Sequence, residues 1–168
     1  KGHKFLFEAF EIVLQHIKNA KLVTFGAGTE NEIKKIQKLK VSSKVADAIF
    51  INNFDEDARL YLREASLLVI SSQTAEAFGL TAVEAMLERK PIVSTDVGGL
   101  PEVIGADSKC GFIVPRDKVD LFAEKIVELL KNEEISNLMG ENGLIRAKRL
   151  FSPKSMANSY LDIMQNEI

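Results

Sequence analysis

Two glutamates, Glu76 and Glu84, bracket the seven residues Ala-Phe-Gly-Leu-Thr-Ala-Val, in which an aromatic-glycine pair runs into helical apolar spacing. The first amides of a helix lack intrahelical acceptors, and the macrodipole favours negative charge beside them. The amides of Phe78, Gly79, Leu80 and Thr81 could therefore hold a phosphate, and Gly79, lacking a Cβ, would let it come close. Glu84 falls about one turn into that helix and Glu76 in the loop before it, where each carboxylate could accept hydrogen bonds from hydroxyls. Together they suit a sugar joined to a diphosphate. Two ordinary acids complementing a helix N-terminus would produce the same pattern.

Other candidates are less specific. Gly26 and Gly28 form only Gly-x-Gly, because the following Thr-Glu-Asn-Glu-Ile lacks the third glycine of a dinucleotide fingerprint, and a structural turn explains them as well. Gly98 and Gly99, followed by Pro101, suggest a flexible loop and a proline-started helix, or a plain tight turn. Asp55, Glu56 and Asp57 have the spacing of a divalent-cation motif, but they open a helix and are read as favouring its N-terminus. No metal and no cofactor is expected. His3 and His16 have no matched acid or cysteine to make a ligand set. The single cysteine, Cys110, excludes an internal disulfide framework and is read as a buried small side chain.

These residues must be positioned by alternating elements. Leu6, Ala9, Phe10, Val13 and Ile17 give His3 to Lys18 a helical stripe. Short apolar runs at Lys21–Gly26, Asp47–Asn52, Ser66–Ser71, Lys90–Thr95 and Gly111–Pro115 read as strands. Helices lie between them, with Ile33, Ile36 and Leu39 in the second and others near Asp57–Ala65 and Leu80–Arg89. The strands are apolar throughout rather than alternating, which predicts cover on both faces, as in a parallel sheet. After Pro115 the pattern is helical: Asp117 is the expected N-cap of a helix carrying Val119, Phe122, Ile126 and Leu130. Helices near Glu133–Arg149 and Pro153–Glu167 follow, the last capped by Ser152. The expected fold is α/β, a Rossmann-like doubly wound parallel sheet flanked by helices, with a helical C-terminal tail. In such sheets ligands sit beyond the carboxyl ends of the strands, where strand order reverses.

The 168 residues suit one domain, and the mixed charges, with a formal net of −2, give no electrostatic footprint for nucleic acid or an anionic membrane. No apolar run approaches the ~20 residues of a membrane span, and no signal-peptide core is evident. A reducing, cytoplasmic setting fits the cysteine usage.

The stretch Glu76, Ala-Phe-Gly-Leu-Thr-Ala-Val, Glu84 and the Glu-Ala-Met that it runs into resemble the family-4, or group 1, retaining glycosyltransferases of the GT-B fold. So do Lys1-Gly2 before the first helix, the strand ending in Gly26-Ala-Gly28, the run Pro-Ile-Val-Ser-Thr-Asp-Val-Gly-Gly-Leu-Pro-Glu from Pro91, and Cys-Gly-Phe-Ile-Val-Pro from Cys110. The resemblance covers essentially the whole chain and implies the donor-binding, C-terminal domain of such an enzyme. It implies that Glu76 lies beside the donor sugar as the catalytic-site acid, that Glu84 holds the nucleotide ribose, and that Lys1 pairs with the diphosphate. The Gly98-Gly99 loop would face the sugar. The implied partners are a nucleoside-diphosphate sugar and, through an N-terminal domain absent here, an acceptor glycan, lipid or small molecule.

Three departures stand out. Ala77 replaces a glycine, Arg89-Lys90 replaces a small-residue turn, and Ile-Phe-Ile-Asn-Asn-Phe lacks the glycine expected after its strand, which leaves a base-contacting loop near Ile49–Asn53 without a template. The resemblance also implies a central strand before Lys1, without which the sheet lacks its middle. A related sugar-nucleotide epimerase or glucan synthase, and a non-catalytic Rossmann-like interaction domain, are the alternatives.

Overall fold

The computed structural model describes residues 2–54, 58–107 and 109–166. Lys1 and the acidic triplet Asp55, Glu56 and Asp57 lie outside the described residues. The element order is α1 (His3–His16), β1 (Leu22–Gly26), α2 (Glu30–Ser42), β2 (Ile49–Asn53), α3 (Ala58–Glu64), β3 (Leu68–Ile70), α4 (Leu80–Leu87), β4 (Ile92–Thr95), α5 (Leu100–Ile104), β5 (Gly111–Val114), α6 (Val119–Lys131), α7 (Glu133–Leu150) and α8 (Pro153–Asn166). All strand pairs are parallel, and each connection between them runs through a helix. The α/β class, parallel pairing and helical tail match the sequence pattern.

The sheet is not continuous. β1 pairs only with β2, and β3, β4 and β5 form a separate three-stranded sheet in that order. The expectation of strands covered on both faces holds for β4, whose four residues are all buried. It fails for the smaller sheet, where the paired Val23 and Phe50 are 47% and 43% exposed. An apolar run predicts a strand here but not the neighbour that should cover it. Residues 49–53, expected to border a base-contacting loop, are themselves strand β2.

Two clusters form the core. One joins α1, the first residues of β1 and β2, and α6, with Phe5 edge-on to Phe122 at 5.1 Å. The other gathers α4, α5, Cys110 and Ala147 of α7. Burial pushes the Cys110 thiol up from its ordinary value, as a small apolar side chain in such a place should behave.

Helix ends follow local chemistry. Thr29 and Glu32 form a reciprocal capping box at α2, and Asn132 caps α7. Ser152 accepts from the Ser155 amide at 3.1 Å, as the sequence suggested. Asp117 does not cap α6. It sits in the left-handed region at φ 64 inside a turn closed by Lys118 N–H to Pro115 O, and Lys118 takes the N-cap position without a side-chain bond.

The turn after α4 also departs from expectation. Arg89 adopts φ 54, a conformation that glycine occupies without strain. Its carbonyl lies against Gly140 of α7, where a Cβ would overlap it, while a Cβ at Gly143 would meet Met86, its Cγ at 3.2 Å being the nearest atom. Those two glycines let α7 lie close along α4. Gly140→Ala is expected to lower the urea midpoint, because overpacking of about 1–3 kcal/mol exceeds the ~1 kcal/mol gained in helix propensity. Gly143→Ala, against a flexible side chain, is expected to stay near neutral in the same unfolding measurement.

Candidate functional site

The candidate residues are assembled by two loops at the carboxyl ends of β3 and β4. Beyond Ile70 the chain passes through buried Ser71 and Ser72 and then the loop that carries Glu76. Beyond Thr95 it passes through Asp96 and Val97 to Gly98 and Gly99, which start α5. Thr95, fully buried, donates through Oγ1 to Ser72 O at 2.5 Å, locking the two strand ends together. Ser72 Oγ in turn donates to Glu76 Oε2 at 3.5 Å.

The glycines complete the fit. Gly98 has φ 60, and a Cβ there would overlap the Glu76 carbonyl, while a Cβ on Gly99 would come to 2.6 Å from the Ala77 carbonyl oxygen. The Gly99 amide donates to Glu76 O at 3.0 Å. The pair is thus not a free tight turn: it is the surface on which the Glu76 loop rests. Gly79, at φ 89, is the N-cap of α4, and a Cβ on it would lie 2.7 Å from Leu100 Cδ2. The fold alone demands glycine at 79, whatever approaches from outside.

Amides of Phe78, Gly79, Leu80 and Thr81 donate to no other group among the described residues, whereas the next amide, Ala82, bonds Gly79 O at 2.9 Å. Four backbone donors at the start of α4 are therefore without a partner among the described residues. Gly79 is buried, while Phe78 and Leu80 beside it are exposed, and the Phe78 ring meets Phe151 edge-on at 5.5 Å. Glu76 and Glu84 are both half-buried. Glu84 shares the outward face of α4 with Leu80 and Leu87, and its carboxylate has no hydrogen bond or ion pair among the described residues. Acceptors flanking free donors make an arrangement able to receive an anion with hydroxyls attached.

The structure brings Glu76, Phe78, Gly79, Leu80, Thr81, Glu84, Gly98 and Gly99 to one edge. Gly2 joins them: at φ 80 it caps α1, and a Cβ on it would overlap the Ser71 carbonyl, so α1 begins at the end of β3. Lys1 lies outside the described residues. Gly26 and Gly28 sit at the end of β1, in the other sheet. Gly26 has neither a positive φ nor any heavy atom within 4 Å of where its Cβ would be, so the turn itself does not require it.

Sequence reasoning missed Ser72, Gln73 and Thr95. Gln73 donates to Ser71 O at 3.3 Å and accepts the Asp117 amide at 3.3 Å, tying the β5–α6 turn to the site. The signal was present: polar residues closing two apolar strands, Ser71-Ser72-Gln73 and Ser94-Thr95, mark where backbone ends meet. A cleft of about 330 Å³ exists elsewhere, between Ala65, Lys90, Leu129 and Ser136, and none of the candidate residues lines it. The candidate site is an open face.

Comparison with known proteins identifies the family and the fold. The model of the family described as glycosyl transferases group 1 matches residues 1–146. An uncharacterized glycosyltransferase of Methanocaldococcus jannaschii, MJ1178, is 38% identical over 112 residues, which is 66% of this chain and 31% of that one. The C-terminal domain of a group 1 glycosyl transferase from Francisella tularensis, LpcC, has a TM-score of 0.79 at 24% identity, covering 91% of this chain and 80% of that one. A TarM mutant from S. aureus, crystallised with fondaparinux, alpha-GlcNAc-glycerol and UDP, has a TM-score of 0.84 at 23% identity, over 94% of this chain and 31% of that one. These structural likenesses show the fold, the GT-B half that the sequence suggested. The chain spans less than half the length of the curated relatives it matches.

The nesting of the two loops can be checked by stability. Gly98→Ala is expected to cost about 1–2 kcal/mol from the left-handed conformation, with the overlap against Glu76 adding to it. Gly26→Ala, in open space, is expected to stay within about 0.5 kcal/mol of the parent. Urea denaturation of both variants makes the comparison.

Proposed function

The chain belongs to the group 1 glycosyl transferases, and we infer that it is the donor-binding half of a retaining enzyme that moves a sugar from a nucleoside-diphosphate sugar to an acceptor hydroxyl. The observation that carries this reading is the group of four unpartnered amides at the start of α4, set between the half-buried carboxylates of Glu76 and Glu84. The diphosphate would sit against the amides of Phe78, Gly79, Leu80 and Thr81, with Lys1 beside the same anion. Glu84, one turn along, would accept from the ribose hydroxyls. Glu76, held by Ser72 and by the Gly98-Gly99 loop, would orient the sugar.

In retaining transfer the nucleoside diphosphate leaves from the face on which the acceptor arrives, so negative charge grows on the leaving oxygen while the sugar becomes cationic. Fixed amide dipoles aimed at that oxygen stabilise the departing charge without reorganising. In this reading the carboxylate of Glu76 would favour the cationic sugar, and it is assigned no covalent role. The diphosphate charge is met by backbone and lysine in this reading, which calls on no metal or cofactor.

The acceptor half is assigned to a separate N-terminal domain, and residues 1–168 to one nucleotide-sugar-binding domain that is inactive alone. The divided sheet supports this: β1 and β3 each have one edge without a ladder partner among the described residues, and a strand from upstream of Lys1 placed between them would join five strands into six. α8 supports it too, since Met156, Tyr160, Leu161, Ile163 and Met164 stand exposed on it, as a helix that crosses to another domain would leave them. No helix among the described residues is long and apolar enough to cross a membrane. A cytoplasmic enzyme acting on a glycan, lipid or small-molecule acceptor fits these features.

Titration calorimetry with UDP, GDP and ADP, and then with their sugar conjugates, tests the assignment. One diphosphate is expected to bind selectively, and Glu84→Ala to weaken it about 10- to 100-fold, the equivalent of the ~1.5–3 kcal/mol of a charge-assisted hydrogen bond. Glu76→Ala is expected to spare the diphosphate and weaken only the sugar conjugate. If none of the three binds to protein that unfolds cooperatively, or if both substitutions leave all affinities unchanged, the donor-site reading is wrong.

A further inference from the structure

The buried polar side chains among the described residues are Ser71, Ser72, Ser94 and Thr95, and all four stand at the carboxyl ends of β3 and β4, next to the loop of Glu76. Ile92 and Val93 begin β4 fully buried, and Thr95 is buried as completely. Valine has nearly the shape of threonine and no hydroxyl to desolvate, so packing alone gives no reason for a hydroxyl at that place. The hydrogen bonds supply one.

A hydroxyl has one proton to give. Ser94 donates to Thr95 O at 2.8 Å, Thr95 donates to Ser72 O at 2.5 Å, and Ser72 donates to Glu76 Oε2 at 3.5 Å. An ionised carboxylate only accepts, so the series runs outward from the strand ends and stops on Glu76. The main chain of Glu76 is fixed separately, by the Gly99 amide on its carbonyl. Its other carboxylate oxygen, Oε1, has no hydrogen bond or ion pair among the described residues.

We propose, resting on the donor-site reading above, that Ser72 and Thr95 are positioning residues for the donor sugar: they hold Oε2 of Glu76 on the protein and so leave Oε1 to accept from a sugar hydroxyl. A glutamate side chain has three rotatable bonds, and ordering them only when the sugar arrives would take free energy from binding. Ser72 orders them beforehand. Thr95 acts one step further back, since its bond to Ser72 O fixes the peptide from which the Ser72 hydroxyl reaches Glu76. None of these hydroxyls bonds the amides of Phe78, Gly79, Leu80 or Thr81, which would hold the diphosphate. The signature of the device is therefore a loss confined to the sugar's share of the affinity.

Titration calorimetry with whichever of UDP, GDP and ADP binds, and with its glucose, N-acetylglucosamine and mannose conjugates, measures that share as the ratio of the diphosphate Kd to the Kd of the tightest conjugate. Ser72→Ala and Thr95→Val are each expected to shrink the ratio roughly five- to tenfold and to leave the diphosphate Kd within about twofold. Thr95→Ser, which keeps the hydroxyl, is expected to retain the ratio. In a Glu76→Ala background, Ser72→Ala is expected to change nothing further, because the group it positions is gone. Thr95→Val strands the Ser72 carbonyl and lowers stability, so urea unfolding accompanies each variant; Ser72→Ala, which keeps that carbonyl paired, carries the test where Thr95→Val does not fold. An unchanged ratio in folded Ser72→Ala protein, equal losses for diphosphate and conjugate, or full additivity with Glu76→Ala would overturn the proposal and leave the donor site standing. A parent that binds none of the diphosphates, or a Glu76→Ala protein with an undiminished ratio, would remove the donor-site reading itself and this proposal with it.

Discussion

One backbone contact organises the candidate site: the Gly99 amide donates to the Glu76 carbonyl, and the missing Cβ atoms of Gly98 and Gly99 let the two loops touch. Any side chain on Gly98 would have to occupy the place of that carbonyl. The contact fixes where Glu76 stands, and because the same loop runs directly into Gly79, it also fixes where the amides of α4 begin. Leu100, buried beneath Gly79 on the helix that the glycine pair starts, closes the circuit. Loop, helix start and helix packing are therefore one constraint seen from three residues.

Beneath that contact lies a second layer of polar bonds. Thr95 to Ser72 and Gln73 to Ser71 satisfy carbonyls at the strand ends that would otherwise be buried without partners, at a cost of about 1–3 kcal/mol each. Farther down α4, the close approach at Gly140 and Gly143 holds the other end of the helix against α7. A helix of eight residues is too short to keep its place by its own hydrogen bonds. It is positioned because both ends are clamped, which a site formed by its first turn requires.

Most of this was legible in the sequence because it rests on local rules. Apolar runs gave the strands and three- and four-residue spacing gave the helices, whereas Gly98 and Gly99, read as a flexible loop or a tight turn, pack against the backbone of Glu76 and Ala77. Gly79 was legible for an incomplete reason: ligand approach was the visible one, whereas its φ of 89 and the contact with Leu100 needed tertiary structure. Asp117 shows the opposite failure. An acid two residues after a proline and near a helix start reads as a cap, but the turn from Pro115 drives it into the left-handed region and gives its amide to Gln73, a residue 44 positions away. The divided sheet was illegible to periodicity, because an apolar strand records that something covers it and not which strand lies beside it.

The site's electrostatics were hidden from composition for a related reason. A chain with more acids than bases offers no general attraction to a phosphate, and the glutamates nearest the start of α4 would repel one. Backbone amides carry no formal charge, so they never enter a count of residues, yet four of them oriented together at a helix start supply a fixed positive potential that needs no counterion when empty. A basic side chain in their place would pair with Glu76 or Glu84 and occupy both the donor and the acceptor. In the proposed reading, an anion held largely by amides leaves both carboxylates available for hydroxyls, so acids beside a phosphate are compatible where most of the positive end is backbone.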